Sequence, residues 1–345
     1  MNQISYGKTT RPKAGALAAA PRAMQQALPA EGDNGVFSES WFPVCLSKDV
    51  KAGQAIGRDF LGGRIVIYRG ENGQPHVLSA YCAHLGADLS CGDVMGNNIR
   101  CAFHHWQFDG DGRCVHTAVG DPAPKAARMF RFPVRERWGI IFAFNGTEAT
   151  WELPDFVYPD DEIYVTVETF PDIPCDPWVI CCNTPDVQHI KVLHKIQLDE
   201  TGPADITYTD HSMTYNFKGK HPNGDPVDWC VRIHGTSIYS QQGMFGDDWM
   251  GVVAPMGLPR PGCTQTYMAV ATRITENTPE GRARAKEKAE YYRQFETRVL
   301  FEDAPILQRM RYRPGTLTKN DAQLARFYEY LRAFPRSHHS ADFIS

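Results

Sequence analysis

The apolar positions divide the chain into two β-rich parts with a helical end. From Trp41 onward, short strand-like runs alternate with polar, glycine-bearing turns. Arg64-Ile65-Val66-Ile67-Tyr68-Arg69 reads as a strand, Gly70-Glu71-Asn72-Gly73 as a turn, and His76-Val77-Leu78 as the return strand. Asn98-Ile99-Arg100 continues the pattern. Asp109-Gly110-Asp111-Gly112 is a tight turn, and Gly139 to Phe144 is another strand. After Glu152-Leu153-Pro154 the chain starts again with Tyr164-Val165-Thr166-Val167, then alternating runs at Ser212–Phe217 and Met250–Ala254. Tyr292, Phe295, Val299, Ile306 and Met310 recur at helical spacing, and Asp321 to Phe334 forms a second amphipathic helical pattern. A polar tail follows, with His338 and His339 expected at the surface. The pattern predicts an α+β chain: residues 38–150 as a small antiparallel-β domain and 151–345 as a larger domain of strands and helices.

Residues 1–37 stand apart. Lys8, Arg11, Lys13 and Arg22 are basic, no acid precedes Glu31, and alanine dominates from Ala14 to Ala20. We expect a flexible extension there; an organelle-targeting segment is the alternative.

Bulk composition narrows the class. Hydrophobic residues at 42 % and charged residues at 22 % describe an ordinary globular protein. A net charge of −4 with no basic block argues against nucleic acid as the partner. No apolar run reaches the roughly 18 residues that a membrane-crossing helix needs. Ten cysteines in 345 residues are too sparse for a disulfide scaffold. We expect a cytoplasmic protein in which the cysteines outside the motif below are mostly small buried apolar residues.

That motif is Cys82-Ala83-His84, sixteen residues, then Cys101-Ala102-Phe103-His104. Each corner pairs one cysteine with one histidine. Zinc fingers instead pair Cys with Cys and His with His, so a Cys2His2 zinc site is the rival reading. The mixed corners suit a [2Fe–2S] cluster with two thiolates on one iron and two imidazoles on the other, which raises the reduction potential. Trp106 and Phe108 are candidates to cover the cluster, or are plain core. His105 is expected at the surface or behind a ligand.

A second constellation is Asn183-Thr184-Pro185-Asp186-Val187-Gln188-His189, followed by His194. Thr184 can cap a helix that starts at Pro185. Asn183, Asp186 and His189, three apart, then share one side of it. His189 and His194 are five apart, about 140° on a regular helix, so the helix must bulge or stop between them if both bind one metal. Two histidines plus a carboxylate form the facial triad of non-haem Fe(II). Asp303 is the candidate third ligand. It lies on the apolar stripe, where a carboxylate needs a partner, whereas Glu302 points about 100° away. Pro305 can start a new helix just after Asp303, which would make Asp303 a helix-terminus acid instead.

Together these residues resemble the catalytic α subunit of the Rieske non-haem iron ring-hydroxylating oxygenases. The likeness covers about residues 38–315. Respiratory Rieske proteins carry two further cysteines, which form a disulfide over the cluster; this chain has Ala87 and Phe103 at those places. The Cys101 to Trp106 stretch is similar to the oxygenase wording C-P-x-H-x-W, with Ala102 where proline is usual. Among the α-only members, the likeness is to ketosteroid hydroxylases, demethylating monooxygenases, sterol desaturases and aminopyrrolnitrin-type arylamine oxygenases. The resemblance implies a large antiparallel sheet covered by helices in the catalytic domain. It also implies a homotrimer in which Asp186 hydrogen-bonds His189 and reaches cluster ligand His104 of the adjacent subunit, with Asn183 close to the iron.

It further implies O₂, a small, largely apolar aromatic or polycyclic substrate, and a separate reductase or ferredoxin, since no G-x-G-x-x-G occurs. The expected reaction is hydroxylation, demethylation or N-oxygenation. Met213, Tyr215, Phe217, Met244, Phe245 and Trp249, within the stretch from Asp205 to Thr272, are candidate pocket residues. The contrasting class is a Rieske electron carrier or redox sensor. It needs little beyond the first domain and gives no role to His189 and His194.

Overall fold

The computed structural model of the chain describes residues 27–198, 206–220, 224–310 and 317–345. The first strands are β1 (Phe37–Ser38) and β2 (Trp41–Leu46). A three-stranded antiparallel meander follows, β3 (Ala55–Phe60), β4 (Gly63–Arg69) and β5 (Pro75–Ser79). The expected turn closes its second hairpin, with Gly70 and Gln74 amide to carbonyl at 3.1 Å. Four short strands come next: β6 (Asp93–Met95), β7 (Asn98–Arg100), β8 (Gln107–Phe108) and β9 (Cys114–His116). Then β10 (Val134–Arg137) and β11 (Ile140–Phe144) form a third sheet with β2. All residues of β2 and β11 are buried, because this sheet is covered on both faces.

The second part opens with β12 (Ile163–Thr169), two short helices, α1 (Pro177–Cys181) and α2 (Val187–Val192), and the short strands β13 (Gln197–Leu198) and β14 (Thr207–Tyr208). Long antiparallel strands follow: β15 (Ser212–Lys220), β16 (Pro226–His234), β17 (Ile238–Phe245), β18 (Asp248–Arg260) and β19 (Cys263–Arg273). They assemble in the order β12-β19-β18-β17-β16-β15-β13, with β14 also on β15. Strand β16 alternates Val227, Trp229, Val231 and Ile233 inward with polar neighbours outward, as expected of a sheet with one wet face. Strands β18 and β19 are buried on both faces. Val252, Met256 and Met268 face the helices, while Val253, Tyr267 and Ala269 pack against Trp41, Phe142 and Phe144 of the first part. The two parts therefore share an apolar interior.

Helix α3 (Pro279–Leu307) packs on β12 and β19. Thr278 caps it by accepting the Gly281 amide at 3.0 Å, and Pro279 occupies the first turn, where no amide is needed. Its buried stripe runs through Ala289, Tyr292, Glu296, Asp303 and Leu307. Ile306 and Met310, predicted on that stripe, are exposed instead. Pro305 does not start a new helix. It lies so near the end that only the last turn loses a hydrogen bond, and buried Leu307 holds that turn down.

The ends of the described chain correct two expectations. Residues 27–37 are not a free extension; residues 1–26 lie outside the described residues. Leu28 enters the main core, and β1 pairs with β20 (Arg336–Ser337), which follows α4 (Ala322–Ala333). The Glu31 carboxylate, 2 % exposed, accepts the Ser38 amide (2.9 Å) and hydroxyl (2.6 Å) and faces Arg336 at 3.5 Å. Glu31's own amide donates to Asp176 at 2.9 Å. The polar tail likewise docks. Helix α5 (Ala341–Ile344) buries Ile344, and the His338 ring packs edge-on against Phe37. Both segments read as detached from the domains because their partners lie hundreds of residues away in sequence.

Candidate functional site

The cysteine–histidine pairs sit on two loops of the same build. In the first, the Cys82 amide donates to the Ala87 carbonyl (2.9 Å) and the Gly86 amide to the Cys82 carbonyl (2.8 Å). In the second, the Cys101 amide donates to the Trp106 carbonyl (2.8 Å) and the His105 amide to the Cys101 carbonyl (3.0 Å). The fifth residue of each loop is left-handed: Gly86 at φ 76°, which glycine adopts freely, and His105 at φ 57°, which a side chain resists. His105 is thus the corner of a turn, exposed to solvent. Cys82 and Cys101 are buried, while His84 is exposed and His104 half-buried. The imidazoles lie 4.7 Å apart, centre to centre, and Trp106 stacks on His84 at 4.3 Å. Phe108 is plain core rather than cover. Burial pushes the Cys82 thiol up to about 11, against backbone amides of His84 and Leu85 aimed at its sulfur. Paired thiols inside and paired imidazoles outside fit a cluster of the expected ligation, with its histidine edge toward the surface.

The second constellation also converges. His189 Nε2 and His194 Nε2 are 2.9 Å apart, and Asp303 Oδ1 lies 3.4 Å from the first and 3.5 Å from the second. Three donors held at about 2 Å from one ion and mutually at right angles stand about 3 Å apart. Asp303 Oδ1 is buried and has no hydrogen-bond partner, so the donor set fits a divalent cation. Asn183 Nδ2 donates to the other oxygen, Oδ2, at 3.0 Å.

The local reason differs from the expected one. Thr184 does not cap the helix. Asp186 does, its Oδ1 accepting the amides of Gln188 (3.0 Å) and His189 (3.1 Å), so α2 begins two residues later than predicted. The helix stops between the histidines rather than bulging. It ends at Val192, Leu193 caps it, and left-handed Lys195 (φ 56°) turns the chain back. Glu302 does more than its 100° offset implied, because the non-helical turn brings His194 to it. Its Oε2 meets His194 Nδ1 at 2.9 Å, which commits that nitrogen to the proton and leaves Nε2 as a ligand. Sequence reasoning missed this residue, although its place beside Asp303 was a signal.

A cavity of about 160 Å³ opens onto the three donors. That is close to the space one benzene ring takes in a protein interior. Its walls include Ile180, Tyr215, Trp229, Val252, Met268 and Phe295. Of the six pocket residues predicted, Tyr215 lines it; Met213 and Phe245 are core, Trp249 packs toward the first part, and Met244 is exposed. The Phe217 side chain and Asp205 lie outside the described residues. Strand alternation cannot tell which face of a sheet carries a cavity, and here the two faces serve different neighbours. The wall also holds an unpredicted acid, Glu296, whose carboxyl burial pushes up to about 7.

Comparison with known proteins bears on both halves. A family model described as the Rieske [2Fe-2S] domain matches residues 40–131, which decides against zinc at the first site. The oxygenase component of 3-ketosteroid-9-alpha-monooxygenase from Rhodococcus rhodochrous is 33% identical over 128 residues, 37% of this chain and 34% of that protein. Cholesterol 7-desaturase nvd from Bombyx mori is 34% identical over 194 residues, 52% of this chain and 40% of that protein. The chain thus spans less than half the length of these relatives. Among solved structures, NdmB of Pseudomonas putida CBB5 superposes with a TM-score of 0.66 at 17% identity, covering 85% of this chain and 89% of that one. Dicamba monooxygenase bound to dicamba gives 0.60 at 20% identity, covering 86% and 97%. Such identities speak for the fold, and the fold extends through the second part. Residues 40–131 are thus a Rieske [2Fe-2S] domain, and the chain as a whole shares the two-part α+β fold of NdmB and dicamba monooxygenase.

Proposed function

We propose that this chain is the oxygenase component of a Rieske non-haem iron system, oxidising a small, largely apolar substrate with O₂ and electrons from a separate reductase or ferredoxin. The observation that carries the reading is the meeting of His189, His194 and Asp303 at an apolar cavity. Cys82, His84, Cys101 and His104 would hold the cluster, and the triad would hold Fe(II). When bound, that iron supplies open coordination positions for O₂ beside the substrate. Glu302 orients the His194 ring, and Asn183 holds the Asp303 carboxylate with one oxygen free. The apolar wall excludes water and selects substrates of about one ring.

We assign the electron path to His104 of one subunit and to Asp186 and His189 of the next, in a head-to-tail homotrimer. Two surface features support it. The hollow beside His84 and His104 is rimmed by exposed Phe103 and Val119. The hollow beside Asp186 and His189 is rimmed by exposed Ile306 and Met310. Apolar rims on both hollows suit burial against each other. The domain limits follow the same reading: cluster domain 38–150, catalytic domain 151–345.

Iron and acid-labile sulfide per chain, with an EPR spectrum after dithionite reduction, test the proposal. Three irons and two sulfides with a Rieske signal are expected. Two irons and two sulfides, unchanged by Fe(II) reconstitution, would leave an electron carrier. Asp186→Ala should keep the cluster spectrum and abolish coupled turnover; normal turnover would remove Asp186 from the electron path.

A further inference from the structure

Glu296 is a carboxylic acid where the cavity has no evident use for one. It is 8 % exposed and lines the cavity. Among the described residues it has neither a hydrogen-bond partner nor an ion-pair partner. The Tyr239 phenol, which feels the Glu296 charge, already donates to Gln241 Oε1 at 2.5 Å. The neighbouring cation on its own helix, Arg293, is turned to Glu168 and Glu290. Among the described residues no lysine or arginine lines the cavity beside the carboxylate. Four aromatic rings line it with Glu296: Tyr215, Trp229, Tyr239 and Phe295. Aromatic faces and one buried carboxylate together form the environment that favours an organic cation over a neutral or anionic group.

We propose that Glu296 is the substrate anchor of this cavity, an anionic subsite for a protonated amine carried by an otherwise apolar substrate. This rests on the cavity being the substrate site of the oxygenase reading, and deepens it. Glu296 and Asp303 are seven positions apart on one continuous helix, on the same face and about 10 Å apart along the axis. The amine is therefore read at one end of the cavity and the oxidised atom lies toward the other. An uncompensated carboxylate in an apolar wall is unfavourable in the empty protein and becomes favourable only when a cation arrives.

The test is calorimetric binding to the intact holoprotein, with N,N-dimethylbenzylamine as probe, isobutylbenzene as its uncharged isostere and acetophenone as a neutral acceptor. Burial holds the Glu296 carboxyl at about 7, so the amine should bind roughly tenfold more tightly at pH 8 than at pH 6, while isobutylbenzene is unaffected. Among the described residues, the other titratable groups around the cavity are the Tyr215 and Tyr239 phenols, which burial keeps neutral, and His189, His194 and Asp303 at the far end. Glu296→Gln separates them. It should erase the pH dependence, weaken the amine at least tenfold at pH 8, and leave isobutylbenzene unchanged. Amine binding that is absent, no tighter than isobutylbenzene, or blind to pH in the wild type overturns the proposal. So does acetophenone binding that weakens as the pH rises, which would make the group a neutral donor. The wild-type profile decides even if the variant does not fold. The expected binding signature in a chain with only two irons would sink the oxygenase reading and keep the anchor; three irons with pH-blind binding would do the reverse.

Discussion

At the scale of single residues, the ligand types follow from the sequence, while their supports come from elsewhere in the chain. His105 is an example: in the motif it reads as a residue at the surface or behind a ligand, and its place at φ 57° shows it to be the counterpart of Gly86. Its side chain resists that conformation, so His105→Gly should stabilise the protein by about 1 kcal/mol, read as a raised melting temperature with an unchanged cluster spectrum. A loss of stability would mean that the imidazole makes a contact that outweighs the strain. Glu302 acts through His194. Removing the carboxylate in Glu302→Ala frees the ring to rotate and change tautomer, and should weaken Fe(II) binding by roughly 10–100-fold. Metal titration with the cluster spectrum as internal control checks this; unaltered affinity would show that the ring is held by packing alone.

At the scale of elements, α2 is six residues long, too short to hold itself together, and Asp186 supplies its first turn with an acceptor for two amides. The same side chain is assigned to the electron path, so two variants are needed to part the roles. Asp186→Asn keeps an acceptor at the cap and removes the charge; it should match wild-type stability and iron content. Asp186→Ala loses the cap as well and should cost about 1 kcal/mol, with faster amide exchange across Val187–Val192. Equal stability of the two variants would show that the helix end is carried by its surroundings. Helix α3 makes the complementary point. It is long enough to run through Pro305, and by doing so it places Glu296, Asp303 and Leu307 on one buried line.

At the scale of the whole molecule, the large sheet has no wet face along β18 and β19. The first part covers one side and the helices with the cavity cover the other. The Glu31–Arg336 contact and the β1–β20 pair tie the ends of the described chain to this block. Burying Glu296 inside it has a consequence for stability against pH. Its folded pKa, about 7, is raised above the ordinary 4.5, so the folded state holds the proton more tightly. The contribution is fully present below about pH 4.5 and is lost as the pH rises through 7, by roughly 3 kcal/mol in all. Glu296→Gln should therefore melt like wild type near pH 5 and above it at pH 8 in scanning calorimetry. Parallel pH profiles would show that water reaches the carboxyl and relieves its burial.

The sequence by itself determined the chemistry on offer and the local elements. The proposed cluster ligands stand out because each Cys–His pair sits within four residues, so one loop holds both members of a pair. The strands of the first part, the turns between them and the stripe from Tyr292 to Asp303 are likewise written in local periodicity, whereas Ile306 and Met310 depart from it. Only the tertiary structure decided what depends on distant segments. The meeting of Asp303 and Glu302 with two histidines more than a hundred residues earlier is one such feature, and the face of the sheet that opens onto the cavity is another. The docking of both ends of the described chain and the isolation of Glu296 belong with them. Periodicity reports that a position is buried; it cannot report against what, because the partner is chosen by the packing of the entire chain.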